Sequence, residues 1–327
     1  MGNCSGYTVD KFLVPALSMW ETLNMSIDIA VVGSCNLDLV VNVENIPKVG
    51  QTVLGGDLSR IPGGKGANQA VAAARLGYRS AMIGRVGNDE TGIFLRECLE
   101  KDGVETTHLL ETEGVPTGIA MIAVQNDGDN AIVVSPGANA RLTPDDIAEA
   151  STVSTAPIVL AQAEIPIESV LAAARNTNGT FIWNPAPAPE EIVPLELLDL
   201  VDVLVPNQTE LSLLAGTGPI NSVNEAIEAA NTLPCASVVV TLGADGAVVV
   251  VNNEAVHVPT PKVNPIDTTG AGDAFCAALA GGLSQGSDLV TTVGQAVRVG
   301  AATTLVAGAQ SSLPTTDQVN DRLENRQ

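Results

Sequence analysis

Aromatic residues are almost missing. Phe, Trp and Tyr together make up 2% of 327 residues, so the core of this 45% hydrophobic chain is built from Ala, Val, Leu and Gly. Lysine is scarce too, present only at Lys11, Lys48, Lys65, Lys101 and Lys262, and 37 acids against 15 bases give a net charge of −22. A field of that sign repels phosphate backbones and acidic bilayers, which excludes nucleic acid and membrane surfaces as partners. No apolar run reaches the roughly 18 residues that a membrane span requires. The cysteines, Cys4, Cys35, Cys98, Cys235 and Cys276, are odd in number and far apart. They fit neither a disulfide framework nor a zinc pattern, and reduced thiols in a cytoplasmic protein are expected. His108 and His257 lack ligand-like spacing. There is no internal repeat and no low-complexity segment.

Residues 1–24 carry no periodic apolar face and are expected to be a poorly ordered extension. Met25 looks like a natural start, because the strand-like Ile29-Ala30-Val31-Val32 follows at once. A single domain is expected over 25–327. Its first part, 38–62, alternates and turns, as does 115–135 around an Asp-Gly loop, a hairpin signal. From about residue 130 onward strand-like and helix-like stretches alternate, as in a mostly parallel central sheet flanked by helices on both faces. The two antiparallel segments do not belong to that sheet and are expected to form a small β lid.

The richest stretch is Asp267-Thr268-Thr269-Gly270-Ala271-Gly272-Asp273, followed by a small, apolar, helix-forming run from Ala274 to Gly281. A helix start presents free backbone N–H groups that favour an anion, and glycines let that anion approach the main chain. Asp273 then sets a carboxylate beside a site built for phosphate, an arrangement suited to orienting an attacking hydroxyl. The competing reading is a tight turn with Asp273 as a helix cap.

Pro62-Gly63-Gly64-Lys65-Gly66-Ala67-Asn68 opens the first firm helix. It is not a phosphate-binding P-loop, because Gly66 stands where Ser or Thr is needed and Ser59 where the earlier glycine belongs. A dinucleotide fingerprint after the first strand is absent as well, since Gly33 is followed by Ser34-Cys35-Asn36. Asn36 and Asp38 lie just beyond the first strand, and Glu164 lies beyond a later one. Ligands of open α/β sheets bind at such carboxyl ends, and these side chains suit sugar hydroxyls. Turn and cap roles are the alternative. Asn207 and Glu210 either help place Mg²⁺-bound phosphates or form a capping box. The turn Thr241-Leu242-Gly243-Ala244-Asp245-Gly246 is a further strand end suited to a nucleotide.

Together these pieces resemble the PfkB carbohydrate kinase family over about residues 26–325. The Gly63–Asn68 and Asp267–Asp273 motifs carry most of the likeness. Gln162-Ala163-Glu164, Asn184-Pro185-Ala186-Pro187-Ala188, Asn207–Glu210 and Gly308–Ser312 follow in the family's order. The resemblance implies Asp273 as catalytic base and Gly270, Ala271 and Gly272 as an anion hole. It implies Asn36, Asp38, Gly64, Lys65, Asn68, Glu164 and Asp273 as the sugar site. Asn207, Glu210, Thr241, Gly243, Gly246 and Gly272 would serve ATP and its Mg²⁺. Asp267, Thr269, Gly308 and Ser312 would hold a monovalent cation, K⁺. The implied activity is ATP-dependent phosphorylation of D-ribose at O5. Deoxyribose, fructose or adenosine are alternative acceptors, and a non-catalytic sugar-binding regulator is the alternative of another class. A homodimer joined through the lid is expected, because isolated ribbons leave open edges and an apolar face.

Overall fold

The structure, a computed structural model, describes residues 26–125, 128–189 and 192–324. The extension over 1–24, its boundary at Met25 and the Asp127 of the expected hairpin loop lie outside the described residues.

In chain order, β1 (Ile29–Val32), β2 (Asn36–Val43) and β3 (Ser59–Gly63) precede α1 (Lys65–Arg75), β4 (Ser80–Gly87) and α2 (Glu90–Lys101). Then come β5 (Leu109–Thr112), β6 (Gly118–Gln125), β7 (Asn130–Ser135), α3 (Pro144–Glu149), α4 (Ser151–Thr155) and β8 (Ile158–Ala161). After α5 (Ile167–Asn176), β9 (Thr180–Trp183), α6 (Leu195–Leu200) and β10 (Val203–Leu204) lie α7 (Gln208–Ala215) and α8 (Val223–Ala230). The last elements are β11 (Ser237–Thr241), β12 (Ala247–Val251), β13 (Glu254–Val258), α9 (Ala271–Ser284), α10 (Leu289–Thr303) and α11 (Thr316–Glu324).

Nine strands form the main sheet in the order β13-β12-β11-β10-β9-β8-β1-β4-β5. Every pairing from β11 to β5 is parallel, and β12 and β13 close one edge antiparallel. The expectation of a mostly parallel sheet covered on both faces holds. In β1, Ile29 and Val31 join a core with α1, α9 and α10, while Ala30 and Val32 join a second core with α3, α5 and α8. Burial on both faces is why the strand reads as an unbroken apolar run. Small Ala-rich faces on α1 and α9 let both helices pack closely on the sheet and on each other.

The lid is a separate sheet in the order β3-β2-β6-β7. Both expected ribbons are there, β2 with β3 and β6 with β7, each antiparallel. The seam between them is parallel, with Asn36 opposite Gly118 and Asp38 opposite Ala120. Alternation along the strands gives the lid two apolar faces. Ala120, Ile122, Ile132 and Val134 border a cleft, whereas Met121 and Val133 point the other way and stay about half exposed.

The short elements β5, β13, α3, α4, α6 and α11 add to those expected from the sequence. Residues 201–206 give only the two-residue strand Val203–Leu204. None of the helices among the described residues is long and apolar enough to cross a membrane.

Candidate active site

The cleft, of about 370 Å³, lies between the lid and the carboxyl ends of the parallel strands. Asn36, Asp38, Gly64, Lys65, Asn68, Glu164 and Asp273 border it, as do Asn207, Glu210, Thr241, Gly270 and Gly272. Residues spread over more than two hundred positions thus converge.

The turn into α1 shows how. Gly64 sits at φ +87°, and an added Cβ would lie 2.7 Å from the Asn36 nitrogen. Only glycine lets the α1 start cross the chain leaving β1 at that distance. No side chain of its own caps α1. Glu164, arriving from the end of β8, does so instead: its Oε2 accepts from the Lys65 amide at 3.0 Å and from Ser34 Oγ at 2.5 Å. A carboxylate is favoured at that positive helix end. Asn139 braces Asn36 from behind. Its Oδ1 accepts from the Cys35 amide at 2.9 Å, and its Nδ2 donates to Asn36 Oδ1 at 2.7 Å. That leaves the Asn36 amide NH₂ as the free end.

At the opposite wall α9 begins after Gly270, which sits at φ +77° and makes no side-chain cap bond. Asp273 is not a cap. It is buried, and its carboxylate accepts from Asn68 Nδ2 at 3.0 Å and Gln69 Nε2 at 3.1 Å. The Gly272 and Asp273 amides therefore belong to the uncapped first turn, where no earlier helical carbonyl can take them. An anion held there would sit against the Asp273 carboxylate. A Cβ on Gly272 would meet nothing within 4 Å, so the space in front of this turn is open. Ala271 lies in the same turn, but its amide donates to Thr268 O at 3.2 Å and it does not border the cleft.

Asn207 and Glu210 form the capping box of α7, with the Glu210 amide donating to Asn207 Oδ1 at 2.8 Å and the Asn207 amide to Glu210 Oε2 at 2.8 Å. Both also border the cleft, so cap and ligand roles coexist. Thr241 reaches the cleft. Gly243 and Gly246 do not, and Gly246 instead packs against the Val258 and Thr260 backbones of the β13 edge.

Asp267 ties two loops together. Its Oδ1 accepts from Thr269 N at 2.9 Å and Thr269 Oγ1 at 2.7 Å, and its Oδ2 accepts from Gly308 N at 2.8 Å. Burial opposes its charge, but these three donors outweigh that and hold the carboxyl below the usual range. Ser312 Oγ donates to Ala309 O at 2.7 Å, closing the second loop. The Asp267, Thr269, Gly308 and Ser312 set thus lies together behind the α9 start, with Thr269 reaching the cleft.

The cleft is acidic. Burial, together with Glu164 and Asp273, pushes the Asp38 carboxyl up to about 7. Burial also raises Glu210. Lys65 is desolvated, yet Asp273, Glu164 and Glu210 outweigh that and hold its ammonium above the ordinary lysine value. Cys276 borders the cleft one turn beyond Asp273, but burial pushes its thiol far up, so it is inert at neutral pH.

Ser34, Gln69 and Asn139 were not singled out from the sequence. Each acts by reaching a residue distant in the chain, which local spacing does not register. For Asn139 the turn Pro136-Gly137-Ala138, with Gly137 at φ +52°, was the available signal.

The model of the pfkB family of carbohydrate kinases matches residues 26–316. A ribokinase of Bacillus subtilis is 38% identical over 90% of this chain and 99% of its own. A deoxyribokinase of Salmonella typhi is 35% identical over 90% of this chain and 98% of its own. Among solved structures, Arabidopsis thaliana ribokinase complexed with ribose and ATP superposes with a TM-score of 0.82 at 33% identity, over 92% of this chain and 99% of that one. The fold, the uncapped turn facing a buried carboxylate, and these likenesses agree: the chain belongs to the pfkB family of carbohydrate kinases.

Proposed function

We propose that this enzyme transfers the γ-phosphoryl group of ATP to O5 of D-ribose. One observation carries the reading. Asp273 lies at the uncapped start of α9 and in the same cleft as the hydroxyl-binding side chains of Asn36, Asp38, Lys65, Asn68 and Glu164. Asn36 offers a donor, Asp38 offers acceptors, and Lys65 offers charge. A furanose with hydroxyls on several carbons satisfies both kinds. O5 then faces Asp273, which removes its proton as the O5–Pγ bond forms and the bond to ADP breaks. The first-turn amides at Gly270 and Gly272, without that of Ala271, stabilise charge on the transferred group. A non-catalytic binder would have no use for an exposed anion turn beside a carboxylate.

Glu210 and Asn207, on the nucleotide side, are hard-oxygen residues that fit hydrated Mg²⁺, which would neutralise phosphate charge when bound. Gly243 and Gly246 flank that side at the end of β11. Comparing kcat/KM for ribose, deoxyribose, fructose and adenosine tests the acceptor. Ribose should lead, because polar groups that face a missing hydroxyl are left unpaired. The Salmonella typhi likeness favours deoxyribose as the second reading, and a higher kcat/KM on deoxyribose establishes it.

The carboxylate and carbonyl oxygens of the 267–269 and 308–312 loops suit K⁺. The ion would order the α9 turn from behind. Exchanging Na⁺ for K⁺ should raise kcat severalfold and leave ribose affinity little changed. Equal rates in the two salts, and in neither, show the loops to be merely structural.

The outward lid face, with Met121 and Val133, suits a second copy of the lid and a homodimer. Light scattering at micromolar concentration should give twice the monomer mass. Met121→Lys should shift it to the monomer, and a monomer in the wild type refutes the pairing.

A further inference from the structure

Gln69 is fully buried, follows Asn68 on α1 and does not border the cleft. Its side chain nonetheless touches the base. Nε2 donates to Asp273 Oδ1 at 3.1 Å and to Asn184 Oδ1 at 3.1 Å, while Oε1 accepts from Gln162 Nε2 at 2.6 Å. The two ends of an amide are alike in shape, so its direction comes from neighbours that cannot reverse. Here a main-chain carbonyl sets it. Val205 O only accepts, so Asn184 turns Nδ2 to it at 2.8 Å and presents Oδ1 to Gln69. Gln69 must then face its NH₂ toward Asn184 and Asp273. The ionised carboxylate, an acceptor only, demands the same direction from the other end.

The second donor to the base lacks such an anchor. Asn68 Nδ2 holds Asp273 Oδ2, but Asn68 Oδ1 is buried without a partner among the described residues, so only the carboxylate itself sets the direction of that amide. The terminal torsion of an aspartate is soft and roughly twofold. A fixed N–H on one oxygen determines the plane of the carboxylate.

We propose that Gln69 is a positioning residue for the base, held in one direction by a relay from the Val205 carbonyl through Asn184, with Gln162 steadying its other end. This rests on the reading of Asp273 as the base. The relay does not meet substrate. It aims the lone pair that receives the O5 proton.

The test is a double-mutant cycle of Gln69→Met with Asp273→Asn, in kcat and in ribose affinity by calorimetry. Met keeps the length and removes both polar ends. Gln69→Met alone should lower kcat about 10–10²-fold, as misaimed catalytic groups do. Ribose affinity should stay within about twofold, since binding precedes the proton transfer. In the Asp273→Asn background the same change should cost almost nothing more, because no base remains to be aimed. Equal losses in both backgrounds, or an unchanged kcat in folded Gln69→Met, overturn the proposal. Normal turnover in Asp273→Asn alone removes the base reading and this proposal with it, and that outcome is read from the single mutant. If Gln69→Met does not fold, Gln162→Met decides: a kcat loss of about 3–10-fold that disappears in the Asp273→Asn background supports the relay. An unchanged kcat there overturns it.

Discussion

Asp273→Asn is expected to fold, to bind ribose nearly as the wild type does, and to lose about 10²–10⁴ in kcat, the usual cost of removing a general base. The structure explains why the fold should survive. Asp273 accepts one hydrogen bond on each oxygen, from Gln69 and from Asn68. An asparagine keeps one acceptor for the Gln69 amide. Its NH₂ would meet the Asn68 NH₂, but Asn68 Oδ1 has no partner among the described residues, so that amide reverses without losing a bond. Melting temperature and calorimetric affinity therefore serve as controls. A folded Asp273→Asn enzyme with wild-type kcat would falsify the catalytic assignment, leaving the carboxylate a buried structural acceptor.

Asp38→Ala should produce the opposite pattern, with KM for ribose rising about 10²-fold or more while kcat at saturation changes little. Hydrogen bonds to a charged group contribute about 1.5–3 kcal/mol each, and a carboxylate facing two sugar hydroxyls loses two of them. Stability should move the other way. The folded Asp38 carboxyl is pushed up to about 7 from an ordinary value of 3.8, by burial and by Glu164 and Asp273. Between those two values the folded chain holds more protons than the unfolded one, so stability falls as pH rises through this window. Above pH 7 the whole penalty is present, and below about 4 none of it is. The sugar-free Asp38→Ala protein should thus melt higher than the wild type at pH 8, with the advantage shrinking through pH 7 and vanishing near pH 4. Removing a strained polar site commonly trades function for stability in this way. A variant that melts lower at pH 8, or an unchanged KM, removes Asp38 from the sugar site.

Much of the site was legible because the family's functional residues sit at strand ends and helix starts, where sequence is punctuated. Gly270-Ala271-Gly272-Asp273 and Gly63-Gly64-Lys65 are of this kind, and both reach the cleft. Glycine runs before a small-residue helix have a local physical cause, so they survive reading in one dimension. Gly246 shows the limit. Its strand-end position suits a nucleotide, yet the neighbouring β13 backbone alone already requires glycine there. The capping box at Asn207 and Glu210 was an open alternative to a phosphate role, and the structure shows that the cap does not preclude facing the cleft.

By itself the sequence determined the mostly parallel sheet, since its strands are apolar on both faces, and the two ribbons of the lid, since theirs alternate. It also determined the glycine turn before α9 and its carboxylate, because helix starts and glycines act over a few residues. Tertiary structure alone decided what those groups meet. The parallel seam between the ribbons places Asp38 opposite Ala120, facing the cleft. Glu164 caps a helix 99 residues away, and Asn184 and Gln69 carry the direction of a carbonyl to the Asp273 carboxylate. Hydrogen-bond polarity of this kind has no sequence signature. An amide looks the same in either direction until the fold sets a group beside it that can only accept.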